Sequence, residues 1–276
     1  SALALGSLIS LFLTQADKVM VSKWLSLEIF GYYTLAAALA NLLPLIVYPM
    51  NNALYPRLSE QVASGDHDGV AATYLKTSQW LHVLLIPPAI MLALFADTAL
   101  QVWTGDPVLS AQAAPILRLL VIGNLFNGFV TSPLLLQYSH GWTSLNLWIF
   151  AGALFLYLPA LYVAIHAWGV LGAAAGWLAF NAGYIFASFL FMHRRLLPDM
   201  RWPWLRDAVL SPLLPVLAIG MLTTWFLPTG LGKIATVAWL MVSGFLSLAA
   251  AAWCTPASRS FIRDWVRRYA RGSAVV

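Results

Sequence analysis

Two ionisable residues lie inside the first apolar segment of the chain. Asp17 and Lys18 are neighbours near the end of an apolar run that begins at Ala2. Placing a charged side chain at the centre of a bilayer costs about 2.5–3.5 kcal/mol on insertion scales, so such charges usually bind or move an ion or a substrate. On a helix the pair extends a polar face about 100° wide. The members of this face are Ser7, Ser10, Thr14, Asp17 and Lys18.

This face predicts that the first segment lines a hydrated cavity, because lipid tails offer polar side chains no partners. The alternative is that both charged side chains reach the outer interface from a helix end, with Lys18 paired to Asp17. Asp17 lies roughly 22 Å along the segment at 1.5 Å of rise per residue, a depth that favours the cavity.

Three later segments also carry polar residues on one face. They are Asn41, Tyr48 and Asn52 in the second segment, Asn124 and Asn127 in the fourth, and Asn181 in the sixth. Pro44 lies among them and leaves a backbone carbonyl that needs another partner. A single asparagine can serve simply as a hydrogen-bonded link between helices. Four inward polar faces together favour one central cavity for a substrate or a coupling ion.

Two other polar residues are read differently. Arg118 lies in the fourth segment, away from the face of Asn124 and Asn127. It is interpreted as an interface anchor or as an anion contact at the mouth of the cavity. His82 precedes a Pro-Pro break in the third segment, and it is either a proton carrier or a hydrogen-bonded structural group.

Sequence signatures of enzymes are missing. The chain contains no Gly-x-Ser-x-Gly, no His-Glu-x-x-His, no phosphate-binding loop and no Asp-x-Asp pair. Its single cysteine, Cys254, fits no disulfide or metal-binding pattern. We therefore expect a protein that is not an enzyme, with no catalytic residues, no metal site and no cofactor other than a coupling H⁺ or Na⁺.

The composition indicates an integral membrane protein. Hydrophobic residues make up 61% of the 276 residues and charged residues 9%, against about 25% charged residues in soluble domains. Too few ions are present to cover a soluble surface. The net charge of +5 is concentrated in particular loops, so nucleic acid is not an expected partner.

Hydropathy predicts an all-α polytopic bundle of about eight membrane-spanning helices joined by short loops. The predicted spans are 2–24, 31–55, 74–95, 114–138, 145–167, 170–192, 208–227 and 234–254, and the longest connections are 56–73 and 96–113. The first six spans form a polar-centred bundle over residues 1–192, followed by a basic loop, 193–207. A two-span extension, 208–254, and a basic amphipathic tail, 255–276, complete the predicted division.

The distribution of basic residues predicts the orientation. Eleven of the 15 Lys and Arg residues follow even-numbered spans and four lie elsewhere, and basic residues collect on the cytoplasmic side. We therefore expect a multi-pass protein of a bacterial inner membrane with a cytoplasmic C-terminus. The tail is expected to lie on the anionic inner leaflet as an anchor, or to serve a regulatory or partner-binding role.

One part of the sequence resembles a known family. Residues Thr14–Glu60 read TQADKVMVSKWLSLEIFGYYTLAAALANLLPLIVYPMNNALYPRLSE. The in-membrane Asp-Lys, the Leu-Ser-x-Glu-x-Phe-Gly-Tyr-Tyr turn and the proline-broken helix ending in Tyr-Pro-Arg-Leu-Ser resemble the start of the second half of bacterial polysaccharide (O-antigen-type) flippases. The superfamily also contains multidrug exporters and lipid II flippases.

The resemblance implies two six-helix bundles around a central cavity that opens alternately to each side. It implies transport of a lipid-diphosphate-linked oligosaccharide from the cytoplasmic to the outer leaflet, with Asp17 and Lys18 in the cavity. The expected partners are that lipid-linked oligosaccharide, membrane lipids, an N-terminal half of the same transporter and glycan polymerase machinery. The alternatives are export of a drug or small lipid, and a non-catalytic scaffold for glycan assembly.

Overall fold

The computed structural model describes residues 2–226 and 232–272, and side chains for residues 9, 11–226 and 232–264. Regular structure in this part of the chain is helical throughout, which confirms the predicted all-α class. The helices are α1 (Ala2–Trp24), α2 (Leu27–Ala40), α3 (Leu42–Ala63), α4 (His67–Leu94), α5 (Ala96–Thr104), α6 (Pro107–Ser139), α7 (Ser144–Leu196), α8 (Arg201–Pro203), α9 (Ser211–Trp225), α10 (Lys233–Cys254) and α11 (Pro256–Gly272). A 3₁₀ turn, Pro198–Met200, precedes α8, and a π-helical turn, Trp204–Leu210, runs directly into α9.

Several helices are long and apolar enough to cross a bilayer. Within the described residues they are Leu27–Ala63, His67–Leu94, Pro107–Ser139, Ser144–Leu196, Pro198–Trp225 and Lys233–Cys254. The chain is therefore a multi-pass membrane protein. The count of eight spans and the four-part division of the chain stay predictions.

Helix α7 is a hairpin of two arms rather than one straight rod. Gly169 has φ 60° and ψ −137°, which breaks the helix at the predicted boundary between spans 145–167 and 170–192. The two arms fold back on each other, because the ring centroids of Tyr157 in the first arm and Phe180 in the second lie 5.0 Å apart. Gly172 packs against the carbonyl group of Ala164, where a larger residue would clash.

The turn between α1 and α2 is held by the side chains of the Ser-Leu-Glu motif. The Ser26 hydroxyl accepts a hydrogen bond from the Ile29 amide at 3.4 Å, so Ser26 caps α2. Tyr32 donates to Glu28 Oε1 at 2.6 Å on the next helical turn. Both contacts stabilise the first turns of α2 directly after the end of α1.

Two connections differ from the hydropathy prediction. The predicted span 31–55 contains a break at Asn41, where α2 ends and α3 begins. The predicted connection 96–113 contains α5, which begins with Asp97 in its first turn and ends at Gly105 with φ 73°. A hydropathy window detects neither feature. It averages the one-residue break with its apolar neighbours, and α5 is only partly apolar.

Helix α6 lies at the centre of the packing. It contacts α2, α3, α4, α5 and α7, while α9 and α10 pack on each other and on α4. The apolar core is continuous from Leu13 in α1 to Ala251 in α10. The last two long helices therefore sit on the α4 side of the bundle, away from α1.

Candidate functional site

A cavity of about 430 Å³ lies between α1, α2, α3, α6 and the second arm of α7. Seven of the eleven residues predicted to line a cavity lie around it, and these are Thr14, Asp17, Lys18, Asn41, Tyr48, Asn124 and Asn127. Gln15 and Trp177 add further polar groups to its wall. Leu11 and Leu45 form apolar parts of the wall and are well exposed.

Asp17 is the buried carboxylate of this cavity. Its side chain is 4% exposed, and the Tyr33 hydroxyl donates a hydrogen bond to Oδ2. The other oxygen, Oδ1, has no hydrogen-bond partner among the residues that the structure describes. A buried carboxylate with one donor and one unpartnered oxygen retains capacity for a proton, a cation or a second donor.

Lys18 points to a different partner. Its Nζ donates to Gln15 Oε1 at 3.1 Å, on the same face of α1. No ion pair joins Lys18 to Asp17 in the described part of the chain. The two charges are thus adjacent in sequence but bound to separate groups.

Asn124 joins three helices. Its Nδ2 donates to the carbonyl oxygen of Ala40 at 2.8 Å, and its Oδ1 accepts from Trp177 Nε1 at 2.8 Å. Pro44 has no amide hydrogen and cannot donate to Ala40, four residues earlier. Asn124 therefore satisfies the carbonyl that this proline leaves without a helical partner.

Asn127 and Asn181 form the next link along the same contact. Asn127 Nδ2 donates to Asn181 Oδ1 at 2.8 Å, and Asn181 Nδ2 donates to the carbonyl of Trp177 at 2.9 Å. Asn181 is fully buried and does not line the cavity. The asparagines of α6 and α7 thus hold the wall together as well as making it polar.

The remaining predicted residues lie elsewhere. Asn52 is exposed and lines a second cavity of about 340 Å³ with Tyr55 and Tyr138. Arg118 is exposed and its Nε donates to the carbonyl of Ala93 at 3.3 Å, at the end of α4. The side chains of Ser7 and Ser10 lie outside the described residues.

Tyr33 is the site residue that sequence reasoning missed. A signal for it was present, because α1 and α2 are antiparallel neighbours joined at Leu25 and Ser26. Residues at similar distances from that turn face each other. Asp17 lies eight residues before Leu25 and Tyr33 lies seven residues after Ser26, so the two positions are opposite. The Asp-Lys and Gly-Tyr-Tyr motifs are therefore two halves of one contact.

His82 lies away from this cavity and contacts a backbone carbonyl. His82 is buried against Phe129 and Trp204, and its Nδ1 lies 2.8 Å from the carbonyl oxygen of Ala208. Among the described residues, no three His, Cys, Asp or Glu side chains lie together in a way that could hold a metal ion.

Comparisons with known proteins agree with the sequence motifs. Residues 1–111 match the family described as "Polysaccharide biosynthesis protein". A "Putative O-antigen transporter" of Shigella flexneri is 25% identical over 175 residues, which are 63% of this chain and 41% of the relative. The chain thus aligns with about two-fifths of that relative's length. No solved structure gives a significant match.

Proposed function

We propose that this chain is one half of a membrane transporter that moves a lipid-diphosphate-linked oligosaccharide from the cytoplasmic to the outer leaflet. The observation that carries the proposal is the polar cavity around the buried Asp17. The family match covers Asp17, Lys18, Asn41 and Tyr48. The relative's name, an O-antigen transporter, supplies the class of cargo.

The exposed walls of the cavity fit an arrangement of two halves. Leu11, Leu45 and Tyr48 are each at least 60% exposed around a polar interior. A second bundle packed over these residues would close the cavity on one side. Lys18 is the only Lys or Arg among the described residues that line it, so an N-terminal half of the transporter would supply further cations for a diphosphate.

In the proposed mechanism Asp17 couples transport to an ion gradient. Its unpartnered Oδ1 binds H⁺ or Na⁺ in one state and the Lys18 ammonium in the other. The exchange requires the Lys18 ammonium to leave Gln15 and turn towards its neighbour in the sequence. No catalytic group and no metal is required. The C-terminus is cytoplasmic in this scheme, in a bacterial inner membrane, beside glycan polymerase machinery.

The test is Asp17→Asn in cells that lack the native protein. Asn keeps the size of the side chain but cannot exchange a proton or bind a cation by charge. We expect translocation, measured as lipid-linked glycan reaching the outer leaflet, to fall about tenfold or more, equal to about 1.4 kcal/mol. Asp97→Asn, an exposed acid in α5, is the matched control. Full translocation by Asp17→Asn would remove the coupling role.

Export of a drug or small lipid is a second candidate. Tyr48 and Trp177 line the cavity, and Lys18 is its one described cation, a surface that suits an amphipathic cargo. Efflux of a lipophilic cationic dye by the same cells would favour this candidate. Glycan translocation without dye efflux would favour the flippase.

A further inference from the structure

A separate apolar groove of about 300 Å³ lies on the outside of the bundle. It is formed by α6, the second arm of α7 and the π-helical turn before α9, and we call it the outer groove. Its residues are Phe126, Phe129, Ala182, Ile185, Phe186, Phe189, Trp204, Leu205 and Val209. None of them lines the transport cavity. Phe186 is 64% exposed, so the groove opens towards lipid.

One end of the outer groove carries N–H donors that lack acceptors. The guanidinium carbon of Arg201 lies 5.2 Å from the ring centroid of Phe189, a groove residue. Arg201 Nε and Trp204 Nε1 are buried, and neither has a hydrogen-bond partner among the described residues. Trp204 is 2% exposed. Unpartnered buried donors next to a cation indicate a place for an anionic oxygen.

The surrounding charges are mainly positive. Residues 193–207 contain four arginines, Arg194, Arg195, Arg201 and Arg206, against Asp199 and Asp207. Arg206 is occupied by Asp207, with N–O distances of 2.7 and 3.1 Å. Arg195 stacks over Trp142, 4.2 Å from its ring centroid. Among the described ion pairs Arg201 has no carboxylate partner.

We propose that the outer groove binds an anionic phospholipid of the surrounding membrane. The lipid phosphate contacts Arg201 at the end of the groove, and one acyl chain lies along Phe189, Phe186 and Ala182. These three positions cover about 10 Å of helix at 1.5 Å per residue, roughly a third of the hydrocarbon core. Basic pockets between membrane helices bind anionic headgroups in this way. Transport through the Asp17 cavity is not required for this site.

Lipid binding to the purified full-length protein in detergent tests the proposal. The probes are fluorescent short-chain phosphatidylglycerol and phosphatidylcholine with the same acyl chains. We expect tighter binding of phosphatidylglycerol. Arg201→Ala should weaken its binding about tenfold, because a charge-assisted hydrogen bond is lost. Arg206→Ala, with the same loss of charge on the exposed side of the turn, should change it less than about twofold.

A second pair of variants tests the groove without touching the arginine. Ala182→Phe fills the groove and should weaken binding of both lipids about tenfold. Ala167→Phe makes the same change at an exposed position of the first arm, which does not line the groove, and should leave binding unchanged. This pair decides the matter if Arg201→Ala does not fold.

Three results would overturn the assignment. The first is equal binding of the two lipids, and the second is equal weakening by Arg201→Ala and Arg206→Ala. The third is displacement of phosphatidylglycerol by a polyprenyl phosphate at tenfold lower concentration, which would make the occupant the isoprenoid carrier instead of a membrane phospholipid.

Discussion

Replacing Asn124 should destabilise the protein more when Pro44 is present than when Pro44 is replaced. In the native chain Asn124 Nδ2 donates to the carbonyl oxygen of Ala40 at 2.8 Å, which Pro44 cannot reach with an amide hydrogen. Asn124→Leu keeps the branched shape and removes both side-chain hydrogen bonds. In Pro44→Ala, the new backbone N–H can bond Ala40 as in a continuous helix.

The expected magnitude follows from two lost hydrogen bonds. Bonds between membrane helices are worth about 0.6 kcal/mol on average and up to about 1.7 kcal/mol. Loss of the bonds to Ala40 and Trp177 should therefore lower the free energy of unfolding by about 1–3 kcal/mol. The Ala40 share is about half, so Asn124→Leu should cost about 0.5–1.5 kcal/mol less in the Pro44→Ala background.

A double-mutant cycle measures this coupling energy. Unfolding of the native chain, both single variants and the double variant is followed in mixed micelles by tryptophan fluorescence. Asn41→Leu is the control, since Asn41 lines the same cavity, is exposed and makes no capping hydrogen bond to α3 with its side chain. Its effect should stay within about 0.5 kcal/mol. An equal cost of Asn124→Leu in both backgrounds would refute the role assigned to the orphaned carbonyl.

Three further predictions concern other parts of the fold. Tyr33→Phe removes the donor to Asp17 and should lower the free energy of unfolding by about 1–3 kcal/mol in the same assay. Gly169→Ala places a side chain at φ 60° and should cost about 1–3 kcal/mol, whereas Gly183→Ala, in open helical surroundings, should cost nothing. Deletion of residues 258–276 should leave most glycan translocation intact, and its complete loss in a cell assay would favour the scaffold function.

Hydropathy and helix-breaking residues predicted the all-α fold and most helix boundaries, because the apolar character that suits a segment to lipid is a local property of the sequence. The boundary between the two arms of α7 was predicted within a residue, since Gly169 interrupts an otherwise apolar run. Pro44 indicated a break near Asn41, because it cannot bond the Ala40 carbonyl, although hydropathy drew one span, 31–55, across it. The donor that replaces the missing amide is Asn124 of α6, and it could not be predicted, because no local pattern reports the position of a distant helix.

The candidate site shows the same division. Periodicity placed Thr14, Asp17 and Lys18 on one face, and the structure finds them around one cavity. It could not separate polar residues that face the cavity from those that link helices, as Asn181 does. That distinction depends on which helices are neighbours. Tyr33 was within reach of sequence reasoning, because a tight turn fixes the pairing of α1 with α2.

The single-residue turn at Gly169 has a consequence for how the protein is made. A helix pair joined without a loop presents no hydrophilic segment that could remain outside while one arm inserts. We therefore expect the two arms of α7 to enter the bilayer together during synthesis. The rings of Trp24 and Tyr162 meet edge-to-face at 5.1 Å between centroids near that turn, so in the folded protein the end of α1 packs against the first arm of this pair.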